Sequence, residues 1–416
     1  MFYRKTVLDN GITVISEPMD SVRSASRGIW FSVGSRDESP AEAGMSHFME
    51  HMMFKGTPTR SARNIAEQFD HMGAMFNAET WKEHTAYHAR FVDAKLPEAF
   101  EILADMVCHA NLDDPSAELE REVVIEEIAR MEDDPDDQVH EIFERILWPD
   151  HPLGLSTLGN RDTVSGFDHA KAVEFRSRHY LTGNTVVAAA GNLDHDELIA
   201  LTERFLGDLC VGPRTKRTHA KAQSRSALSA ITKDTEQAHV VYGMATMDAA
   251  DPDRFPLYLM NGVLGGGMSS RLFQEIREKR GLVYSVGSMP ILFQDSGEFA
   301  MFAGSRPENV HTVLELMQGE TARMAAEGVT AEELDRARQA VLGQQVLGME
   351  STSARMRRLG RNEVTGGEIL STDEVIDRFN EVTLEKVAEI ASQVLSVEKV
   401  LSVVSPLPEA EFEKYV

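Results

Sequence analysis

The sequence predicts an α+β fold of two similar domains from an internal duplication, each a mainly antiparallel sheet packed with helices. Three observations lead there. At 416 residues the chain exceeds the size at which one hydrophobic core stops growing, roughly 250–300 residues. A strand-like run followed by a Pro-Glu helix start occurs twice, as Ala86–Val92 before Pro97-Glu98 and as Phe299–Gly304 before Pro307-Glu308. The apolar run Thr185–Ala189 recurs in type as Val400–Val404, about half a chain later. Repetition at half the chain length means two like units. The expected division is 1–210, a linker over 211–231, and 232–416.

The elements follow in order. Asp9-Asn10-Gly11 between Lys5–Leu8 and Ile12–Ser16 is a strong hairpin signal. Ala25–Val33 reads as the next strand. Ala43–Gly56, free of Pro and closed by Gly, reads as a helix, and Ala62–Met72 as another, stopped by Gly73. Alternation in Ala86–Val92 favours a strand, so His84 and His88 span about 13 Å and do not share an ion. Pro97 opens a helix, and Pro115–Met131 forms an acidic one with Ser116 as its N-cap. Val211–Lys221 is polar, basic and unpatterned, as a linker is. In the second half, Phe255–Leu264 reads as the counterpart of the Ala43–Gly56 helix but carries no His. Gly265-Gly266-Gly267 lacks the Lys-Ser/Thr of a phosphate loop and reads as a turn.

Composition narrows the class. Hydrophobic content of 42% and aromatic content of 7% are ordinary for a soluble globular protein. Two cysteines are too few for a disulfide framework and suit a reducing compartment. Cys108, in a helical run with Leu103 and Val107, reads as a buried inert thiol. Met1–Val7 runs straight into a strand without an apolar leader, and no run is long enough to span a bilayer. A bacterial-type cytoplasmic protein is expected, with a mature organellar matrix enzyme as the alternative. A net charge of −25 opposes nucleic-acid binding, serves solubility, and admits basic peptides as partners.

The most informative stretch is His47-Phe48-Met49-Glu50-His51. On a helix, residues i and i+4 share a face, so both imidazoles reach one ion. Glu50 lies on the adjoining face, within reach of a water on that ion. The order H-x-x-E-H is an inverted zinc-peptidase arrangement. The bland alternative is two ordinary histidines on an amphipathic helix. A catalytic zinc wants a third protein ligand and one open position. Projected at about 100° per residue, Glu120, Val123, Val124, Glu127 and Met131 form one stripe of the acidic helix, with Glu127 near its centre. Glu126 falls beside Glu122 and Arg130 on a solvated face. A carboxylate on an apolar stripe is costly unless paired or metal-bound. Glu127 is therefore the expected third ligand, and Glu120, two turns earlier, is placed to orient a ligand His. The competing view is a charged surface helix whose glutamates snorkel outward.

His47, Glu50 and His51 with the distant Glu127 resemble the pitrilysin/insulinase family, in particular its mitochondrial-processing-peptidase-like branch. Phe76-Asn77-Ala78 with Glu83-His84-Thr85-Ala86-Tyr87, His151-Pro152-Leu153-Gly154 with Leu158-Gly159, and Arg271–Ser285 resemble further motifs of that family. The resemblance runs over nearly the whole chain. It implies one zinc per chain, held by His47, His51 and Glu127, with Glu50 as catalytic base. It also implies that Arg277 and Tyr284 act on the substrate carbonyl and that Phe76, Asn77 and Ala78 face an extended peptide. On their own residues, Arg277 and Tyr284 read as a solvated helix residue and a strand aromatic, and only the resemblance gives them a role. Glu79 and Trp81 depart from the family pattern, where an aromatic and a small polar residue are expected, and bear on substrate preference. The implied activity is metalloendopeptidase cleavage of extended or presequence-like peptides inside a clam-like chamber. A homodimer is expected, because this chain carries both the zinc half and the Arg/Tyr half; a heterodimer is the alternative. The rival functions are a non-catalytic peptide-binding or assembly subunit and a zinc hydrolase of non-peptide substrates.

Overall fold

A computed structural model describes residues 2–222 and 225–416. Its strands are β1 (Arg4–Val7), β2 (Thr13–Pro18), β3 (Ser24–Phe31), β4 (Met75–Thr80), β5 (Thr85–Val92), β6 (Thr185–Gly191), β7 (Ala227–Thr232), β8 (Ala238–Thr246), β9 (Val283–Leu292), β10 (Gly297–Ser305) and β11 (Val400–Ser405). The first five longer helices are α1 (Met45–Met52), α2 (Ala62–Met72), α3 (Leu96–His109), α4 (Asp114–Asp133) and α5 (Pro135–Leu147).

The first sheet has the order β1-β2-β6-β3-β5-β4 and the second β7-β11-β8-β10-β9. In each, one pair is parallel, β2 with β6 and β7 with β11, and the other pairs are antiparallel. Setting β1 aside, the two orders correspond strand for strand, so the duplication expected from the repeated runs is written into the topology. The Asp9-Asn10-Gly11 turn does close a hairpin, with Val7 opposite Thr13.

Two compact units result, and the division is not sequential. One contains residues up to 129, 155–218 and 348–369; the other contains 130–154, 219–347 and 370–416. A split at 210 and 232 takes no account of two helices. The helix Thr352–Thr365 packs in the first unit, where Met356, Leu359 and Val364 cover Ile15, Trp30, Val186 and Ala188. Helix α5 packs in the second, where Val139, Phe143 and Leu147 cover Val241, Ala300 and Val404. Each sheet is thus covered on both faces, which explains why β6 and β11 are buried along their whole length rather than at alternate residues. Polar anchors accompany the first of these helices: Arg358 donates to Glu17 at 2.9 Å, and Arg355 pairs with the same carboxylate.

The expected linker is more ordered than its composition suggests. Thr215 donates its backbone N–H to Asn184 at 2.7 Å, and Arg217 pairs with Asp37 at 2.8 Å, within the first unit. Strand β7 begins at Ala227, inside the expected linker, while Gln223 and Ser224 of that segment lie outside the described residues. Among the described residues no helix is long and apolar enough to cross a membrane.

Candidate active site and metal centre

Helix α1 is shorter than the run Ala43–Gly56: it spans eight residues, Met45–Met52, with Gly44 at its N-cap and Met53 at its C-cap, so Gly56 does not stop it. Gly44 has φ +94°, and a Cβ there would sit 2.5 Å from the Leu158 carbonyl oxygen. Gly159, at φ +75°, meets the same turn from the other side, with a Cβ 2.2 Å from the Ala43 oxygen. Only glycine permits this approach, which ties the start of α1 to the Leu158-Gly159 loop. Met45, Phe48, Met49 and Met52 are buried, which turns His47, Glu50 and His51 toward the opposite, half-open side.

Helix α4 brings the third group. Its buried residues are Ala117, Glu120, Val124 and Ile128, so the inward stripe is rotated from the one projected from sequence. Val123 is 38% exposed, and Glu127 sits at the margin of the stripe, not its centre. The centre is occupied by Glu120, tolerated there because its charge is paired: His51 Nδ1 lies 3.0 Å from its Oε2 and Lys55 Nζ 2.5 Å from its Oε1. Glu126 is exposed, as expected. The helix begins earlier than Ser116, whose N–H is accepted by Asp113 at 2.8 Å. Asp113, not Ser116, serves that helix start, because the helix already includes Asp114 and Pro115.

The side chains of His47, His51 and Glu127 converge, with one donor atom from each lying within 4.8 Å of the others. Among the described residues this is the only such group of His, Cys, Asp or Glu. Glu127 Oε2 is 3.5 Å from His47 Nε2 and 3.6 Å from His51 Nε2. Ligands about 2.1 Å from one tetrahedral ion stand about 3.4 Å apart, so the donor set fits zinc in both spacing and type. Burial, then the neighbouring His51, pushes the His47 imidazole down to about 3, which keeps it in the neutral, ligating form. With its Nδ1 held by Glu120 Oε2, the His51 ring turns Nε2 toward the centre.

Glu50 stands beside this group. Thr80, at the end of β4, donates its hydroxyl to Glu50 Oε2 at 2.5 Å. Burial raises the Glu50 carboxyl above its ordinary range, with Glu127 and Glu79 adding to the rise, while the Thr80 bond and His51 oppose it. Thr80, Lys55 and Glu38, which binds the start of α1, are parts of the site that sequence reasoning missed. Lys55 stands four residues after His51, a spacing that offered a signal; the other two offered none.

Strand β4 is an edge of the first sheet, paired only with β5. Of the expected substrate-facing residues, Asn77 is exposed, whereas Phe76 stacks on Phe69 at 4.2 Å and Ala78 is buried. Phe76 and Ala78 therefore turn their side chains into the core of the first unit. Glu79 turns to the opposite face, 3.8 Å from His84 and 3.5 Å from Arg357. His84 precedes β5 and His88 lies within it, in the strand geometry expected. In the second unit, Arg277 lies in a π-helical turn, Phe273–Glu278, its guanidinium 4.8 Å from the Phe273 ring and 5.1 Å from the Tyr284 ring. Tyr284 is the second residue of β9 and is 78% exposed.

Two helix-borne imidazoles, a remote carboxylate at tetrahedral-edge spacing and a glutamate between the imidazoles define an inverted H-x-x-E-H metal centre. The chain belongs to the insulinase family, peptidase family M16. The model of that family matches residues 13–161, and the model of the peptidase M16 inactive domain matches 166–341. An uncharacterized zinc protease of Streptomyces coelicolor is 41% identical, covering 98% of this chain and 90% of the relative. The uncharacterized zinc protease YmxG of Bacillus subtilis is 36% identical over 97% of this chain and 98% of its own. Among solved structures, a peptidase M16 inactive domain from Pseudomonas fluorescens superposes with a TM-score of 0.92 at 22% identity, covering 98% of this chain and 99% of the other. A protease from Helicobacter pylori gives 0.91 at 21% identity, covering 97% and 99%. At those identities the structures establish the fold.

Proposed function

We propose that the protein is a zinc-dependent metalloendopeptidase acting on extended or unfolded polypeptide, of the processing-peptidase type. The observation that carries this is the convergence of His47, His51 and Glu127 with Glu50 beside them. When bound there, zinc supplies Lewis acidity that lowers the pKa of water toward about 7 and polarises a carbonyl.

The chain's own residues do the rest. Glu50 accepts the proton from the attacking water and returns it to the leaving amine. Its raised affinity for a proton suits both transfers, and Thr80 holds the carboxylate in one orientation. Glu120 keeps the His51 ring in the ligating tautomer. The open edge of β4 receives a peptide by backbone hydrogen bonds, which give affinity without strict sequence preference. Arg277 and Tyr284 steady the substrate carbonyl oxygen, a role supported by the family resemblance. The net charge of −25 favours basic segments. The working assembly is a homodimer in the cytoplasm, supported by the presence of both motifs in one chain.

The test is Glu50→Gln. The variant should bind zinc as the unaltered protein does and lose at least about three orders of magnitude in peptide hydrolysis. Full activity in that variant would remove Glu50 as the base.

A further inference from the structure

Helix α1 carries two of the three metal ligands, yet it has only eight residues and begins at Gly44, which has no side chain with which to cap it. Helices this short are marginal by themselves, and the first-turn N–H groups need acceptors. Glu38, 3% exposed and outside the helix, provides them. Its Oε2 accepts the Gly44 N–H at 2.7 Å and its Oε1 the Ser46 N–H at 2.6 Å.

The turn that presents Glu38 is itself held firmly. Ser35 and Arg36 donate backbone N–H groups to the carbonyls of Trp81 and Lys82, at 3.2 and 2.9 Å, just beyond β4. Arg36 pairs with buried Glu83, and Asp37 with Arg217. Glu38 thus links the start of the ligand helix to the loop that follows the peptide-receiving strand. Burial lifts its carboxyl to about 8, against the pull of the Ser46 and Gly44 groups and with Asp37 adding to the rise.

We propose that Glu38 is a positioning residue for the metal centre: it caps α1 from outside the helix and so fixes where His47 and His51 present their ring nitrogens. Its metal consequence rests on the zinc reading above, whereas its effect on the helix start does not.

Two variants of the full chain test this, Glu38→Met, which removes both acceptors, and Glu38→Gln, which keeps one. Measurements are made at about pH 9, where the carboxyl is ionised. Amide exchange is followed at residues 44–52 without metal, and zinc affinity by chelator competition. For Glu38→Met, exchange at the Gly44 and Ser46 amides should quicken about tenfold and zinc binding should weaken about tenfold, the scale of a lost helix cap. Glu38→Gln should fall between that and the unaltered protein, a graded rescue. Unchanged exchange and zinc affinity in Glu38→Met would sink the proposal. So would uniformly faster exchange with zinc affinity preserved, or failure of the near-isosteric Glu38→Gln protein to fold. If the unaltered protein bound no zinc, the metal reading would fall and the positioning role with it; exchange at Gly44 and Ser46 tells the two failures apart.

Discussion

Replacing single glutamates of α4 with glutamine should produce a steep gradient in zinc affinity, although three of these residues lie within eight positions of one helix. Glu127→Gln removes the one anionic ligand. Structural zinc sites bind with about 10–16 kcal/mol over four ligands, or roughly 3–4 kcal/mol each, so the dissociation constant should rise about 10²–10³-fold. Glu120→Gln leaves all three ligands in place. It replaces the carboxylate that His51 Nδ1 meets at 3.0 Å and that Lys55 neutralises at 2.5 Å. Loss of such a supporting partner costs about 10–100-fold in metal affinity. Glu126→Gln changes an exposed residue and should shift affinity by less than about twofold. Competition with a chromogenic chelator on purified, refilled protein measures all three. Equal losses for Glu126→Gln and Glu127→Gln would refute the assignment of the ligand face. An unaltered affinity for Glu120→Gln would refute the tautomer-holding role.

Three further outcomes are expected. Hydrolysis needs the ionised Glu50, so activity should fall as pH drops through its raised pKa. The acid limb of kcat/KM should therefore lie above the ordinary glutamate value of about 4.3. Thr80→Val removes a bond that favours the ionised form and should move that limb to still higher pH, and a limb that stays in place would remove Thr80 from the site. Gly159→Ala, which sets a Cβ 2.2 Å from the Ala43 oxygen at φ +75°, should destabilise the first unit by about 2–3 kcal/mol in denaturant unfolding. A loss under about 0.5 kcal/mol would show that the turn relaxes freely.

Much of the centre was legible in the sequence because its main parts are local or periodic. His47 and His51 share a face by helical spacing alone, and Glu50 follows with them. Choosing Glu127 over Glu126 needed only the direction of the α4 stripe. The exact rotation was not legible, since Val123 counts as apolar in sequence but faces solvent, while Glu120 takes the central buried place through its partners. Ser116 illustrates the limit of local capping rules, because Asp113 reached the helix start first.

What the sequence determined by itself was the duplicated α+β plan, the paired imidazoles and the helix faces, all of which repeat with periods shorter than an element or equal to half the chain. What only tertiary structure decided was which surface each apolar face covers. Helix α5 and the helix Thr352–Thr365 each cover a sheet whose strands lie far away in sequence, and Glu38 closes the start of a helix it does not belong to. Periodicity tells a helix that it must bury one side; the partner is chosen by packing and by which distant polar group can satisfy an otherwise orphaned N–H.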